Sequence, residues 1–207
     1  MTYFVIPDIH GNSVLLQQAL AEIYSRQEGG KIIFLGDYID RGDDNKGVLE
    51  TVMSPPENWE FVCIKGNHEE MFVDSIVQGY PVWDQSVVLE WGGQSLFPRE
   101  IVEWMDKLIP FHIEDVNIFA HAYYDPNQSP EHQDPHRCCW VRMQDSRAFF
   151  SKTHHLTHGH TPRSTGPTLA PNRTNLDCRA FGEGAQLVVG VYENNVKGPV
   201  EFIRFGG

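Results

Sequence analysis

The amino-acid sequence predicts an α/β protein that forms one domain over residues 1–207. Two apolar, strand-like runs, residues 3–7 and 31–35, flank a segment with helical periodicity, so the first 42 residues predict a β-α-β unit. Chemically active side chains follow these and later apolar runs. Because the ends of neighbouring strands meet at one edge of a sheet, we expect these side chains to form a site there.

The composition argues against nucleic acid and membranes as partners. The chain has 28 acidic and 16 basic residues, and its formal net charge of −12 repels both kinds of polyanionic surface. No stretch approaches the roughly 18 apolar residues of a membrane span, and no signal-type segment precedes the first strand, so we expect a cytoplasmic protein. The four cysteines lack C-x-x-C spacing, which favours reduced thiols. The sequence predicts no particular oligomeric state.

The first two strands each end in a polar motif. Asp8 and His10 alternate along an extended segment after the first strand, which predicts that both side chains point the same way. The second strand leads into a glycine-bracketed turn that contains Asp37, Asp40 and Arg41. Taken alone, these two carboxylates could be turn formers with a solvated arginine.

The next predicted strand is also followed by polar residues. We predict a helix over 46–54, a strand over 59–64 and a helix over 69–78, which places Asn67 and His68 at a strand-to-helix junction. We predict that residues 79–110, which include a helix over 98–108, form an insertion that covers one side of the site. Taken singly, Asn67 is typical of a helix cap and His68 of a polar surface residue.

The last third of the chain is predicted to be mainly β. A hairpin over 111–113 and 116–120 ends at His121, and residues 122–137 form a long loop. A strand over 156–159 places His158 and His160 in alternation, so both could share a face. Segments 175–178, 186–192 and 200–205 are expected to complete a second sheet.

The groups at the strand ends form a typical set of metal ligands. Two carboxylates, one amide and three imidazoles without a thiolate suit manganese, iron or zinc better than magnesium or calcium. Six ligands are too many for one catalytic ion and predict two divalent ions. The set is Asp8, His10, Asp37, Asn67, His121 and His160.

The motifs in their order resemble those of the calcineurin-like metallophosphoesterases. They are D-x-H-G at 8–11, G-D-x-x-D-R-G at 36–42, G-N-H-E at 66–69, H-A at 121–122 and G-H-T at 159–161. The chain is most similar to the phosphoprotein phosphatase branch, and within it to small bacterial and phage lambda-type enzymes. Residues 92–93, 140–142 and 176–177 extend the likeness over nearly the whole chain. The resemblance implies a four-layer α-β-β-α sandwich of two mixed sheets.

The resemblance also implies a role for each motif residue. Asp37 would bridge the two ions, the first with Asp8 and His10 and the second with Asn67, His121 and His160. His68 would be the general acid, oriented by Asp40, while Arg41 and Arg142 would bind phosphate oxygens. A hydroxide between the ions would attack phosphorus in line.

The implied activity is that of a serine/threonine protein phosphatase with two manganese ions, iron and zinc being alternatives. Its partner would be a phosphorylated protein or peptide, contacted also by Asn67 and Tyr123. Tyr123 and Arg179 stand where many relatives have glycine, which leaves the substrate's shape open. Pro7 replaces the glycine that is usual before D-x-H-G, so we expect a different local backbone with the ligands retained. A symmetrical diadenosine-tetraphosphate hydrolase is the alternative, and a catalytically inactive scaffold is disfavoured because every ligand is present.

Overall fold

The computed structural model describes residues 1–144, 147–149 and 151–207. Two five-stranded mixed sheets form its centre, which confirms the predicted fold class. The strands are β1 (Thr2–Ile6), β2 (Gly30–Phe34), β3 (Trp59–Cys63), β4 (Phe111–Glu114), β5 (Asn117–Ala120), β6 (His155–His158), β7 (Thr168–Ala170), β8 (Arg173–Asn175), β9 (Gln186–Glu193) and β10 (Glu201–Gly206). The helices are α1 (Ser13–Arg26), α2 (Asn45–Val52), α3 (Asn67–Gln78), α4 (Gln85–Leu89), α5 (Arg99–Asp106) and α6 (Pro135–Trp140).

The first sheet has the order β10-β9-β1-β2-β3, and its three N-terminal strands are parallel. The β1-α1-β2 unit is therefore as predicted. The second sheet has the order β4-β5-β6-β8-β7, in which β5, β6 and β8 are parallel. Because parallel strands carry their carboxyl ends to the same edge, each sheet presents several strand ends together.

Successive side chains of a strand point to opposite faces of its sheet, so they contribute to the core on both faces. In β1, Tyr3 and Val5 belong to the cluster that also includes Phe119 of the second sheet, whereas Phe4 and Ile6 pack with α1 residues in the largest cluster. The outer face of the second sheet is covered by a third cluster, in which Tyr123 and Phe149 come from non-helical chain. In the described part of the chain, no helix is long and apolar enough to cross a bilayer.

Three sequence predictions about the second half need correction. β9 and β10 extend the first sheet instead of the second, since β9 pairs antiparallel with β1. The predicted strand at 175–178 lies earlier, as β8. The predicted loop 122–137 contains a short 3₁₀ helix, Pro130–His132, and the start of α6, where Pro135 occupies the first helical turn and the Asp134 side chain accepts from the next two N–H groups.

Candidate metal-binding active site

The site lies where strand ends of both sheets meet. Residues following β1, β2 and β3 bring Asp8, Asp37 and His68, and residues following β5 and β6 bring His121 and His160. The backbone here is unusual, because six of the nine described non-glycine residues with positive φ belong to this region. They are His10, Asp37, Asp40, Arg41, His160 and Arg179. Such conformations are sparsely populated and cluster at functional sites.

Two overlapping groups of ligand-type side chains share Asp37. His10, Asp37 and His68 form one, and Asp37, His121 and His160 form the other; within each group the ligand atoms lie within 4.8 Å of one another. Asn67 joins the second group, since its Oδ1 lies 3.0 Å from His121 Nε2 and 2.9 Å from His160 Nδ1. Five of the six predicted ligands are therefore brought together, and His68 replaces Asp8 beside His10.

Asp8 lies at the edge of these groups. Its Oδ1 accepts the His160 backbone N–H at 2.9 Å, and its Oδ2 is buried without a hydrogen-bond partner among the described residues. Gly159 makes this approach possible, because a Cβ there would stand 1.9 Å from Asp8 Oδ2. An unpartnered, buried carboxylate oxygen is a group that a bound cation would satisfy.

Backbone carbonyls fix the orientation of two histidines. His10 Nδ1 donates to the Ile39 carbonyl at 3.0 Å, and His121 Nδ1 donates to the Leu35 carbonyl at 2.9 Å. Each ring therefore turns an unprotonated Nε2 towards Asp37, at 3.5 Å from Oδ2 and 3.4 Å from Oδ1 respectively. Carbonyl-oriented imidazoles are the usual arrangement of metal-binding histidines, and the converging acceptors fit divalent cations.

Burial shifts the pKa values of these groups in the direction that favours their neutral forms. It lowers the pKa of His10 and His121 well below the usual value and the pKa of His160 to about 4, which keeps the rings neutral. Burial raises the pKa of Asp8, and the nearby Asp177 and Asp37 carboxylates raise it further. Divalent cations would stabilise the ionised carboxylates and bind the neutral imidazoles.

His68 differs from His10 and His121 in its hydrogen-bond partner, which is a carboxylate instead of a backbone carbonyl. Its Nδ1 is hydrogen-bonded to Asp40 Oδ2, and its Nε2 lies 3.2 Å from Arg41 Nη2. Burial acts to lower the pKa of His68, but the Asp37 and Asp40 carboxylates outweigh it and the pKa rises. A histidine that carries two protons and is held by a carboxylate can donate a proton from Nε2.

The two predicted phosphate-binding arginines are exposed. The Arg41 guanidinium lies over the Phe181 ring, 4.6 Å from its centroid. The positive charge of Arg142 contributes, after burial, to the lowered pKa of His160. Glu70 of α3 accepts from the indole N–H of Trp140, which ties the segment before Arg142 to the helix that carries His68.

The predicted substrate contact Tyr123 is only 7 % exposed. Its ring belongs to the cluster on the outer face of the second sheet and lies under the Arg137 guanidinium, 5.2 Å away. Little of its surface is therefore open to a substrate.

Sequence reasoning assigned no role to several residues at the site. Glu69 accepts backbone N–H groups of the loop that carries Asp37, and Trp83, which is 65 % exposed, places its ring 5.5 Å from the His68 ring. Phe181 packs edge-on against His10 at 5.0 Å. The G-N-H-E motif pointed to Glu69, but no local pattern indicates that Trp83 or Phe181 approaches the site.

Comparisons with known proteins show the family of the chain. The chain matches the calcineurin-like phosphoesterase family over residues 1–190. Serine/threonine-protein phosphatase 1 of Salmonella typhimurium is 28 % identical over 177 residues, covering 77 % of this chain and 78 % of the relative. Serine/threonine-protein phosphatase 2 of Escherichia coli is 35 % identical over 134 residues, 58 % of each chain. A solved structure provisionally described as a diadenosine tetraphosphatase covers 100 % of this chain and 93 % of its own, with a TM-score of 0.72 at 17 % identity. The chain belongs to the calcineurin-like phosphoesterase family and is a hydrolase of phosphate esters.

Proposed function

We propose that the protein removes phosphate from phosphoserine and phosphothreonine residues of proteins. The observation that carries this proposal is the similarity to a bacterial serine/threonine-protein phosphatase along 77 % of the chain. The cytoplasmic location expected from the sequence stays a prediction, which cell fractionation would test.

The donor set supports a centre of two divalent ions, with manganese favoured over iron or zinc. Asp8, His10 and Asp37 would hold one ion, and Asp37, Asn67, His121 and His160 the other. When bound, such ions supply Lewis-acid stabilisation of the phosphoryl charge and lower the pKa of water.

The remaining catalytic work falls to side chains of this chain. Arg41 and Arg142 would hold phosphate oxygens, a task that suits planar guanidiniums. His68 would donate its Nε2 proton to the leaving alkoxide, and Asp40, which holds Nδ1, would stabilise the charged ring.

A hydrolase of diadenosine tetraphosphate is the second candidate. The exposed Trp83 ring beside His68 favours it, because an aromatic face near the reacting phosphate can stack on a base. The structural likeness to a provisional diadenosine tetraphosphatase points the same way.

Parallel turnover of a phosphothreonine peptide and diadenosine tetraphosphate by manganese-loaded protein tests the proposal. We expect kcat/KM to be at least about tenfold higher for the peptide, a margin of about 1.4 kcal/mol in transition-state stabilisation. Asp37→Asn serves as the inactive control for contaminating phosphatases. A ratio reversed in favour of the dinucleotide would establish the second candidate.

A further inference from the structure

Two guanidiniums converge on one aromatic ring next to the candidate metal ligands. Arg41 Cζ lies 4.6 Å and Arg179 Cζ 5.6 Å from the centroid of Phe181. The same ring meets His10 edge-on at 5.0 Å. Arg179 therefore shares its aromatic contact with Arg41, the residue that would hold the reacting phosphate.

Neither guanidinium forms a direct ion pair with a carboxylate of the described residues. Within the described ranges, no Asp or Glu oxygen lies within ion-pair distance of Arg41 or Arg179, although the chain carries 28 acidic residues. Both side chains are exposed, and Phe181 supplies cation-π contact without cancelling their charge. The pair therefore presents positive charge to solvent beside the site.

The backbone holds Arg179 in place. Its φ of 65° lies in the left-handed region, which residues with a Cβ rarely adopt. Its N–H donates to Asp177 Oδ1 at 2.9 Å, and its carbonyl accepts from the Gln186 N–H at 3.0 Å. These bonds fix the Cα, so the arginine side chain starts from a defined position.

We propose that Arg179, supported by Phe181, binds a second anionic group of the substrate next to the scissile phosphate. This inference rests on the proposed function and narrows it to phosphoproteins with an acidic residue beside the phosphorylated one. A cavity of about 310 Å³ is lined by Arg41 and Phe181, but also by Asp43 and Asp44. Their charge would repel the second anion and direct it to Arg179.

The test compares two phosphothreonine peptides that differ only in Glu or Gln next to the phosphorylated residue. For the wild type we expect kcat/KM to be about three- to tenfold higher for the Glu peptide, expressed mainly in KM, as a single exposed charge-assisted contact allows. Arg179→Gln should abolish this preference, and its kcat for para-nitrophenyl phosphate, a substrate without a second anion, reports whether the active site is still intact. Arg99→Gln, which removes an equal charge from α5, should keep the preference. Raising the salt concentration should reduce the wild-type preference.

The measurements distinguish failure of the proposed phosphatase function from failure of the second anion position. If para-nitrophenyl phosphate is hydrolysed but neither peptide is, the protein is not a phosphatase of such peptides, and both peptides are then measured as competitive inhibitors. Tighter inhibition by the Glu peptide that is lost in Arg179→Gln supports the second anion position. Equal turnover or equal inhibition by the two peptides in the wild type, or a preference that survives in Arg179→Gln, overturns it.

Discussion

Replacing Glu69 with glutamine tests how the loop that carries Asp37 is held. The Glu69 carboxylate is fully buried and accepts four backbone N–H groups. Oε2 accepts from Asp37 at 2.9 Å and Gly66 at 3.0 Å, while Oε1 accepts from Tyr38 at 2.8 Å and more weakly from Ile39 at 3.4 Å. A single side chain thus joins the G-D-x-x-D-R-G turn to the G-N-H-E turn.

Glutamine at position 69 has nearly the same shape but only one acceptor oxygen. Its NH₂ group must face two of the buried N–H donors, either those of Asp37 and Gly66 or those of Tyr38 and Ile39. Each buried donor left without an acceptor costs about 1 to 3 kcal/mol, so we expect the free energy of unfolding to fall by about 2 to 6 kcal/mol. Because the affected loop carries Asp37, metal content should fall as well.

Urea unfolding and metal analysis of purified Glu69→Gln measure both effects. Glu103→Gln is the control, since Glu103 on α5 is exposed and, among the described residues, forms an ion pair only with Arg99 in the neighbouring turn. Its loss should change stability by less than about 1 kcal/mol. If Glu69→Gln unfolds with the wild-type free energy and retains its metals, the loop is not held by this carboxylate.

Three further predictions concern single side chains. Asp37→Asn should lose bound metal and lower kcat by several orders of magnitude, and two tightly bound ions per chain would contradict the shared-ligand role. His68→Asn should keep its metal while kcat falls about 10²- to 10⁴-fold, and less for aryl than for alkyl phosphates; an equal loss on both would count against the acid role. Burial, aided by the charge of Lys197, lowers the pKa of His155 to about 4, below the roughly 6.5 of an unfolded chain, so the unfolded state binds more protons between these values. Stability should therefore decline as the pH falls from about 6.5 towards 4, and acid titrations of unfolding should show a shallower decline for His155→Gln.

The positions of most site residues followed from local pattern. Apolar runs of strand length, each ending in a carboxylate, amide or imidazole, indicated the carboxyl ends of β1, β2, β3, β5 and β6. Parallel pairing then brings those ends to one edge, a consequence of chain connectivity that the β-α-β pattern reveals. The fold class was predictable for the same reason.

The alternation of side chains along a strand does not extend to the site itself. β1 ends at Ile6 and β6 at His158, so neither His10 nor His160 lies on a strand, and both have positive φ. The position of Trp83 beside His68 could not be predicted either, because it depends on how the 79–110 segment packs. The strands that pair with β9 could not be predicted from the sequence either, since an apolar strand does not identify the sheet it will join.

The pairing of β1 with β9 has a consequence for folding. Thr2 lies opposite Glu193, so nearly the whole chain separates the two partners in this ladder. Contacts between such distant residues require closure of a long loop and slow the search for the native state. Until β9 docks, one edge of β1 stays unpaired, and such an edge can accept a strand from another molecule. We infer that docking of the β9-β10 hairpin is a late step in folding, and that aggregation competes with it during refolding at high protein concentration.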